Sequence, residues 1–253
     1  MKLTIVGCAG SFPSPQSAAS CYLVEAPFEG RTFRLLLDLG NGALGTLQRY
    51  VTLDWVDAVA LSHLHADHCL DMCGFYVVRK YNPSGALGAI PVYGPSGTAD
   101  RLARGYDLPI EPGMTAEFDF NDWRDQQPRQ IGPFTVTAAR VDHPIEAYAL
   151  RVAHAGRTLV YSGDTGPTQA LVDIARGADV FLCEASFVEA EDNPPNLHLT
   201  GAQAGDHATR AGVDRLLLTH IPGWTDRTEV ASDVKTTFDG TFELVEAGAT
   251  YDV

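Results

Sequence analysis

The sequence predicts an α/β fold in which sheets are covered by helices, and three observations carry that prediction. Short apolar, β-branched runs recur between Gly and Pro punctuation in both halves of the chain. Segments with one apolar and one polar face are interleaved with those runs, as amphipathic helices require. No low-complexity linker interrupts the alternation, so residues 1–253 are expected to form a single domain.

Along the chain, strands are expected first at Leu3–Val6, Cys21–Ala26 and Thr32–Asp38, each rich in residues that favour a pleated surface. A helix over Gly42–Tyr50 leads to the buried strand Asp57–Ser62, and a second helix over His68–Tyr81 follows. The pattern continues with a strand at Ile90–Tyr93 and a helix at Ser96–Arg104. Tyr106–Gln130 is acidic and contains proline, which reads as a solvated, irregular connection. Strands at Phe134–Val141, Tyr148–Ala153 and Arg157–Ser162 precede a helix at Pro167–Arg176 and a strand at Val180–Cys183. The last elements are a helix at Gly201–Ala211 with Thr200 as its N-cap, a strand at Arg215–Thr219, a helix at Thr228–Phe238 and a strand at Phe242–Glu246.

Composition narrows the function classes. Hydrophobic residues make up 45% and charged residues 20% of 253, which suits a packed globular core rather than a disordered chain. The formal net charge of -14 disfavours a long nucleic acid as partner, because the mean field repels polyanions. The opening stretch is apolar for only a few residues, so a membrane span is not expected and the cytoplasm is the expected compartment. Cys8, Cys21, Cys69, Cys73 and Cys183 form an odd, irregularly spaced set and are expected to be reduced, buried thiols.

Chemistry concentrates after the strand Asp57–Ser62, where His63, His65, Asp67 and His68 follow within His63-Leu64-His65-Ala66-Asp67-His68. Ligand-type side chains crowded behind an apolar strand have no packing rationale and point to metal ions. His63 and His65 can face one side of the turn, while Asp67 and His68 open the helix and can address a second ion. Three later strand ends present further ligands: His143 before Pro144, Asp164 in Gly163-Asp164-Thr165-Gly166, and His220 before Ile221-Pro222. The donors are imidazole and carboxylate without thiolate, which suits zinc and also accepts manganese or iron. Two divalent ions about 3.5–4 Å apart share a water, lower its pKa and clamp the oxygens of an attacked ester or phosphate.

These motifs, in this order, resemble the five ligand motifs of the metallo-β-lactamase superfamily, and Asp38 matches an early structural aspartate of that family. The resemblance spans the chain and implies an αββα four-layer sandwich with the metals at the rim of two central sheets. It implies one ion on His63, His65 and His143, another on Asp67, His68 and His220, and Asp164 bridging them. Gly7-Cys8-Ala9-Gly10-Ser11, Cys183-Glu184-Ala185-Ser186 and His198-Leu199-Thr200-Gly201 are similar to the ribonuclease Z branch. There the counterparts of Glu184 and His198 protonate a departing alkoxide, which a phosphodiester needs because an alkoxide leaves poorly. The catalytic set implied is Asp67, Glu184 and His198.

One departure matters. Ribonuclease Z carries a long tRNA-gripping arm between the positions matching His143 and Asp164, where this sequence has little more than a hairpin. Runs such as Arg79-Lys80-Tyr81-Asn82-Pro83-Ser84 and Leu218-Thr219-His220-Ile221-Pro222 are similar to the atypical cyclic-nucleotide phosphodiesterases of that branch. The resemblance therefore implies attack by a metal-bridging hydroxide on a small phosphodiester such as 3′,5′-cyclic AMP. The alternatives are an RNA-processing nuclease or a lactone or thioester hydrolase on the same fold. Ser11 can offer a backbone N–H to a phosphate, and Trp224 can stack a base or sit in the core. Arg79 and Lys80 read as a solvated helix face, and His154 and His207 as surface residues. Relatives of this fold often pair, so a homodimer is possible, though no sequence feature defines an interface.

Overall fold

A computed structural model describes residues 1–190 and 192–253 of the chain. The elements run β1 (Lys2–Ala9), β2 (Ala18–Ala19), β3 (Cys21–Phe28), β4 (Arg31–Leu37), α1 (Ala43–Leu47), β5 (Ala58–Ala60), α2 (Ala66–Cys69) and α3 (Met72–Lys80). They continue as β6 (Ile90–Gly94), α4 (Thr98–Gly105), β7 (Phe118–Asp122), β8 (Pro128–Ile131), β9 (Phe134–Arg140), β10 (Tyr148–His154) and β11 (Arg157–Tyr161). Then come α5 (Gln169–Ala175), β12 (Val180–Glu184), α6 (Gly201–Ala211), β13 (Arg215–Thr219), α7 (Arg227–Val234), β14 (Thr241–Leu244) and β15 (Thr250–Asp252).

The strands form an 8-stranded sheet, ordered β15-β1-β3-β4-β5-β6-β7 with β2 beside β1, and a 7-stranded sheet, ordered β14-β13-β12-β11-β10-β9-β8. Period-two side-chain alternation explains why the strands are apolar on both faces. Leu35, Leu37, Ala58 and Ala60 meet Phe134, Leu159, Tyr161 and Leu182 in the core between the sheets. Leu36, Val59 and Leu61 face outward onto Phe75 and Leu102 of α3 and α4. On the second sheet Val160, Phe181, Cys183 and Leu216 pack outward on Leu171, Ala204 and Val234 of α5, α6 and α7. Each large apolar side chain so buried contributes about 1.5–3 kcal/mol, and burial on both faces of both sheets is what selects the layers. The result is the αββα four-layer sandwich.

Several expectations need correction. Part of the Tyr106–Gln130 connection is edge strand: β7 pairs parallel to β6 and β8 antiparallel to β9. The signal was the alternation Phe118-Asp119-Phe120, whose Phe118 is buried and whose acidic neighbours masked it. The segment predicted as one helix over His68–Tyr81 is two, α2 and α3, with Asp71 between them accepting the Leu44 N–H at 2.8 Å. Cys69 and Cys73 therefore sit on different helices, and all five cysteines are unpaired and buried, as expected.

Arg79 is not a solvated residue but is buried, donating to the carbonyls of Glu117 and Gly88 and lying over the Phe75 ring. A guanidinium can satisfy carbonyl oxygens of a loop folded over it, which composition alone does not show. His207 is likewise buried: its Nδ1–H donates to Gln203 O at 2.7 Å and its Nε2 accepts the Thr168 N–H at 3.2 Å. His154 is half-buried and donates to Pro133 O at 3.1 Å. Thr200 caps α6 as expected, accepting the Gln203 N–H at 3.2 Å while Gln203 Oε1 accepts the Thr200 N–H at 3.0 Å. That reciprocal box fixes the direction of the segment carrying His198. Among the described residues, no helix is long and apolar enough to cross a membrane.

Candidate metal centre

Each residue of the centre leaves the carboxyl end of a strand, the position where ligands gather in open α/β sheets. β4 delivers Asp38; β5 runs on through Ser62 into His63, His65, Asp67 and His68; β9 is followed by His143 and β11 by Asp164. β12 ends on Glu184, and β13 is followed by His220. The two sheets meet at this rim, where Tyr161 of the second donates to Asp38 of the first at 2.8 Å.

The backbone is held under tension there. Ser11, Asp38 and His220 are non-glycine residues with φ of 64°, 59° and 55°. Such conformations cost about 1–3 kcal/mol each and persist only where neighbours over-determine them. Asp38 shows how: it accepts the Ser62 N–H and hydroxyl at 2.7 Å each, the His68 Nδ1–H at 2.7 Å and the Tyr161 hydroxyl. Close backbone approach does the rest. A Cβ on Gly40 would fall 1.9 Å from Asp67 O, and one on Gly10 would fall 2.3 Å from His220 O.

Two groups of donor atoms result, each spanning no more than 4.8 Å: His63, His65, His143 and Asp164, and Asp67, His68, Asp164 and His220. In the first, His65 Nδ1 lies 3.1 Å from His63 Nε2 and 3.2 Å from His143 Nε2. His63 Nδ1 rests 3.0 Å from the Ser62 hydroxyl and His143 Nδ1–H donates to Leu197 O at 2.9 Å, so both Nε2 atoms turn inward. In the second, His220 Nε2 is 3.1 Å from both His68 Nε2 and Asp67 Oδ2. Asp164 joins the groups, with Oδ2 3.6 Å from His63 Nε2 and Oδ1 3.2 Å from His68 Nε2.

Electrostatics of the donor set fit divalent cations. Burial lowers the pKa of His63, His65 and His143 and leaves their rings neutral, with lone pairs available. Burial opposes ionisation of Asp67 and Asp164, yet facing imidazoles hold both carboxyls below the usual range. Burial also works against a proton on His68, but Asp164 and Asp38 override it and raise that pKa. A position that retains a proton against burial is one where positive charge is stabilised. Asp164 Oδ1 is buried, has no hydrogen-bond partner among the described residues and lies 3.2 Å from His68 Nε2 and 3.5 Å from His220 Nε2; a cation there satisfies it.

A third cluster adjoins: Glu184, His198 and His220. His198 Nδ1–H donates to Glu184 Oε1 at 3.0 Å, and the same oxygen accepts the Thr165 N–H at 2.7 Å. Burial lowers the His198 pKa, but the Glu184 charge and hydrogen bond outweigh it and push the imidazole up to about 9. Ser186 ties this pair to the centre, donating to Glu184 Oε2 at 2.9 Å and lying 2.8 Å from His220 Nδ1.

A beta-lactamase superfamily domain model matches residues 33–221, the stretch that carries every one of these candidate ligands. The chain belongs to the metallo-β-lactamase superfamily. It is 47% identical to an uncharacterised protein of Mycobacterium leprae over all of this chain and 89% of that one. It is 30% identical to the probable metallo-hydrolase YhfI of Bacillus subtilis over the full length of both. The YhfI crystal structure superposes with a TM-score of 0.87 over 99% of this chain and 98% of that one, at 28% identity. A ribonuclease Z of Myxococcus xanthus is 27% identical over 100% of this chain and 98% of that one. Within this superfamily of metal-dependent hydrolases, the chain lies in the ribonuclease Z-like branch.

The structure brings together every sequence-predicted ligand and sets Glu184 and His198 beside them. The remaining site predictions fare differently. Ser11 directs its backbone N–H at His220 Nε2 from 3.4 Å, on the rim itself. Trp224 is no core residue: it is 74% exposed, with its ring 4.6 Å from that of Phe12. Sequence reasoning did not single out Ser62, Tyr161 and Ser186, which orient the ligands from behind; their nearness to His63, Asp164 and Glu184 along the chain was the only signal. Such outer partners typically change metal affinity about 10–100-fold. Asp38→Asn is expected to weaken divalent-metal binding by about that factor in a competition titration with a chelating indicator, because His68 and Tyr161 lose a charged acceptor. Unchanged affinity would assign Asp38 to the fold alone.

Proposed function

We propose that this protein is a dinuclear metal-dependent phosphodiesterase acting on small phosphodiesters, foremost 3′,5′-cyclic nucleotides. His63, His65 and His143 would hold one cation, Asp67, His68 and His220 the other, and Asp164 both. Zinc is the first choice for this imidazole and carboxylate set. When bound, the pair supplies an acidified water and a clamp on the attacked phosphoryl group.

The chain's own residues supply the rest. The observation that carries the reading is the Glu184–His198 ion pair at 3.0 Å beside the centre. With Nδ1 committed to Glu184, the other ring nitrogen of His198 is the one that can give a proton to a departing alkoxide. A thioester, whose thiolate departs readily, needs no such help, whereas a phosphodiester of an ordinary alcohol does. With His220 Nε2 taken by a cation, the Ser11 N–H that now faces it from 3.4 Å would be free to donate to a non-bridging phosphate oxygen.

Size and charge favour a small substrate over RNA. Between His143 and Asp164 the chain forms a tight hairpin of β10 and β11, turning at Ala155 and Gly156, with no inserted arm. The net charge of -14 gives a polyanion little to hold it. The test is a substrate panel on metal-loaded protein: cyclic mononucleotides, precursor tRNA, a lactone and a thioester. Cyclic mononucleotides are expected to give the highest kcat/KM, and preferred turnover of the lactone or the RNA would overturn the reading.

A further inference from the structure

His198 belongs both to the cluster beside the centre and to the lining of a cavity of about 250 Å³, walled further by Pro167, Phe187, Ala190, Asn193, Pro195 and Gln203. That volume lies below the roughly 300–1,000 Å³ of pockets for drug-sized ligands, so it admits a ring system and not a second nucleotide. The walls are matched to a flat heterocycle. The Phe187 ring stands edge-on to His198 at 5.1 Å, and the prolines offer further apolar surface.

Two amides supply polar edges. Asn193 donates its Nδ2–H to Val188 O at 2.8 Å, which leaves Oδ1 as an acceptor. Gln203 uses Oε1 for the Thr200 N–H, which leaves its NH2 as a donor. Neither Lys nor Arg is among the residues lining the cavity, and the Glu189 carboxylate is. A further phosphate of a continuing strand would be repelled there.

We infer that this cavity seats the nucleobase borne by the leaving side of the substrate, and that Glu189 and the cavity's size exclude polynucleotides. The inference rests on the phosphodiesterase reading: His198 protonates the leaving oxygen, so the sugar of that oxygen and its base lie on the His198 side. It assigns the base to this cavity and not to the Phe12–Trp224 pair, whose Trp224 is exposed.

The test compares metal-loaded wild type with Ala190→Trp, which plugs the cavity from an exposed position. Binding of AMP and of ribose 5-phosphate is measured by calorimetry, and hydrolysis is measured on cyclic AMP and base-free ribose 3′,5′-cyclic phosphate. Stacking of one base supports a preference for AMP of about 10-fold or more in wild type, and Ala190→Trp is expected to erase it. Wild type binding both ligands equally, or Ala190→Trp keeping the full preference, would overturn the inference. Loss of the preference in Trp224→Ala and not in Ala190→Trp would move the base to the other rim and overturn it too.

Should the plugged variant fail to fold, Glu189→Arg serves in its place. It is expected to raise kcat/KM on the dinucleotide pApA, and no gain would count against the exclusion argument. Failure of wild type to hydrolyse either cyclic phosphate would contradict the phosphodiesterase reading, whereas the binding comparison judges the cavity by itself.

Discussion

Asp164→Ala is expected to strip the protein of tightly held metal and to bring phosphodiester turnover down to background. Among the described residues Asp164 is the one side chain common to both donor groups, and none of them gives its Oδ1 a hydrogen bond. Removing it leaves the first group with no carboxylate and the second with Asp67 alone to balance a cation. The loss of affinity should exceed the roughly 10–100-fold typical of outer partners, because a shared ligand is removed from both positions at once. Metal content by emission spectroscopy after dialysis and turnover of bis(4-nitrophenyl) phosphate check this together. A variant that keeps its metal and its rate would show that Asp164 is only a turn residue.

His198→Ala should separate chemistry from metal binding. Metal content is expected to stay as in wild type, while kcat on a cyclic nucleotide falls by about 10²–10⁴-fold. The loss should shrink with bis(4-nitrophenyl) phosphate, whose nitrophenolate departs without a proton. An equal loss on both substrates would reject acid catalysis, and loss of metal would make His198 a ligand instead.

The pH dependence follows from the same pair. Burial disfavours the His198 proton, Glu184 overrides burial and lifts the pKa from its ordinary 6.5 to about 9, so the acid form prevails at neutral pH. Activity should fall as pH rises through that value or somewhat below it, since positive charge held at Asp164, 3.9 Å away, works against the proton. His198→Ala should lose this alkaline limb. For stability the sign is that of a raised pKa: the pair's contribution is complete below 6.5 and disappears as pH climbs through about 9.

The candidate ligands were legible in the sequence because their chemistry conflicts with their setting. His63, His65, Asp67 and His68 follow a buried strand where packing would call for apolar side chains, and His143, Asp164 and His220 repeat that conflict at other strand ends. The sandwich was legible because strands covered on both faces read as unbroken apolar runs, as in Leu35-Leu36-Leu37 and Leu216-Leu217-Leu218.

Long-range pairing was not legible. Phe118 and Phe120 form a strand only because β6 lies alongside, and Arg79 is buried only because the loop after α3 folds over it. His207 became interior through the approach of Thr168 from before α5. Ser62, Tyr161 and Ser186 carry no signal of their own, since a hydroxyl becomes an orienting group only when its partner arrives from elsewhere in the chain.

The most direct measurement is anomalous X-ray scattering at the zinc edge from crystals of the zinc-loaded protein. Two peaks are predicted, one enclosed by His63, His65, His143 and Asp164, the other by Asp67, His68, Asp164 and His220. Metal found elsewhere, or one peak that leaves either group of side chains uncoordinated, would contradict the account.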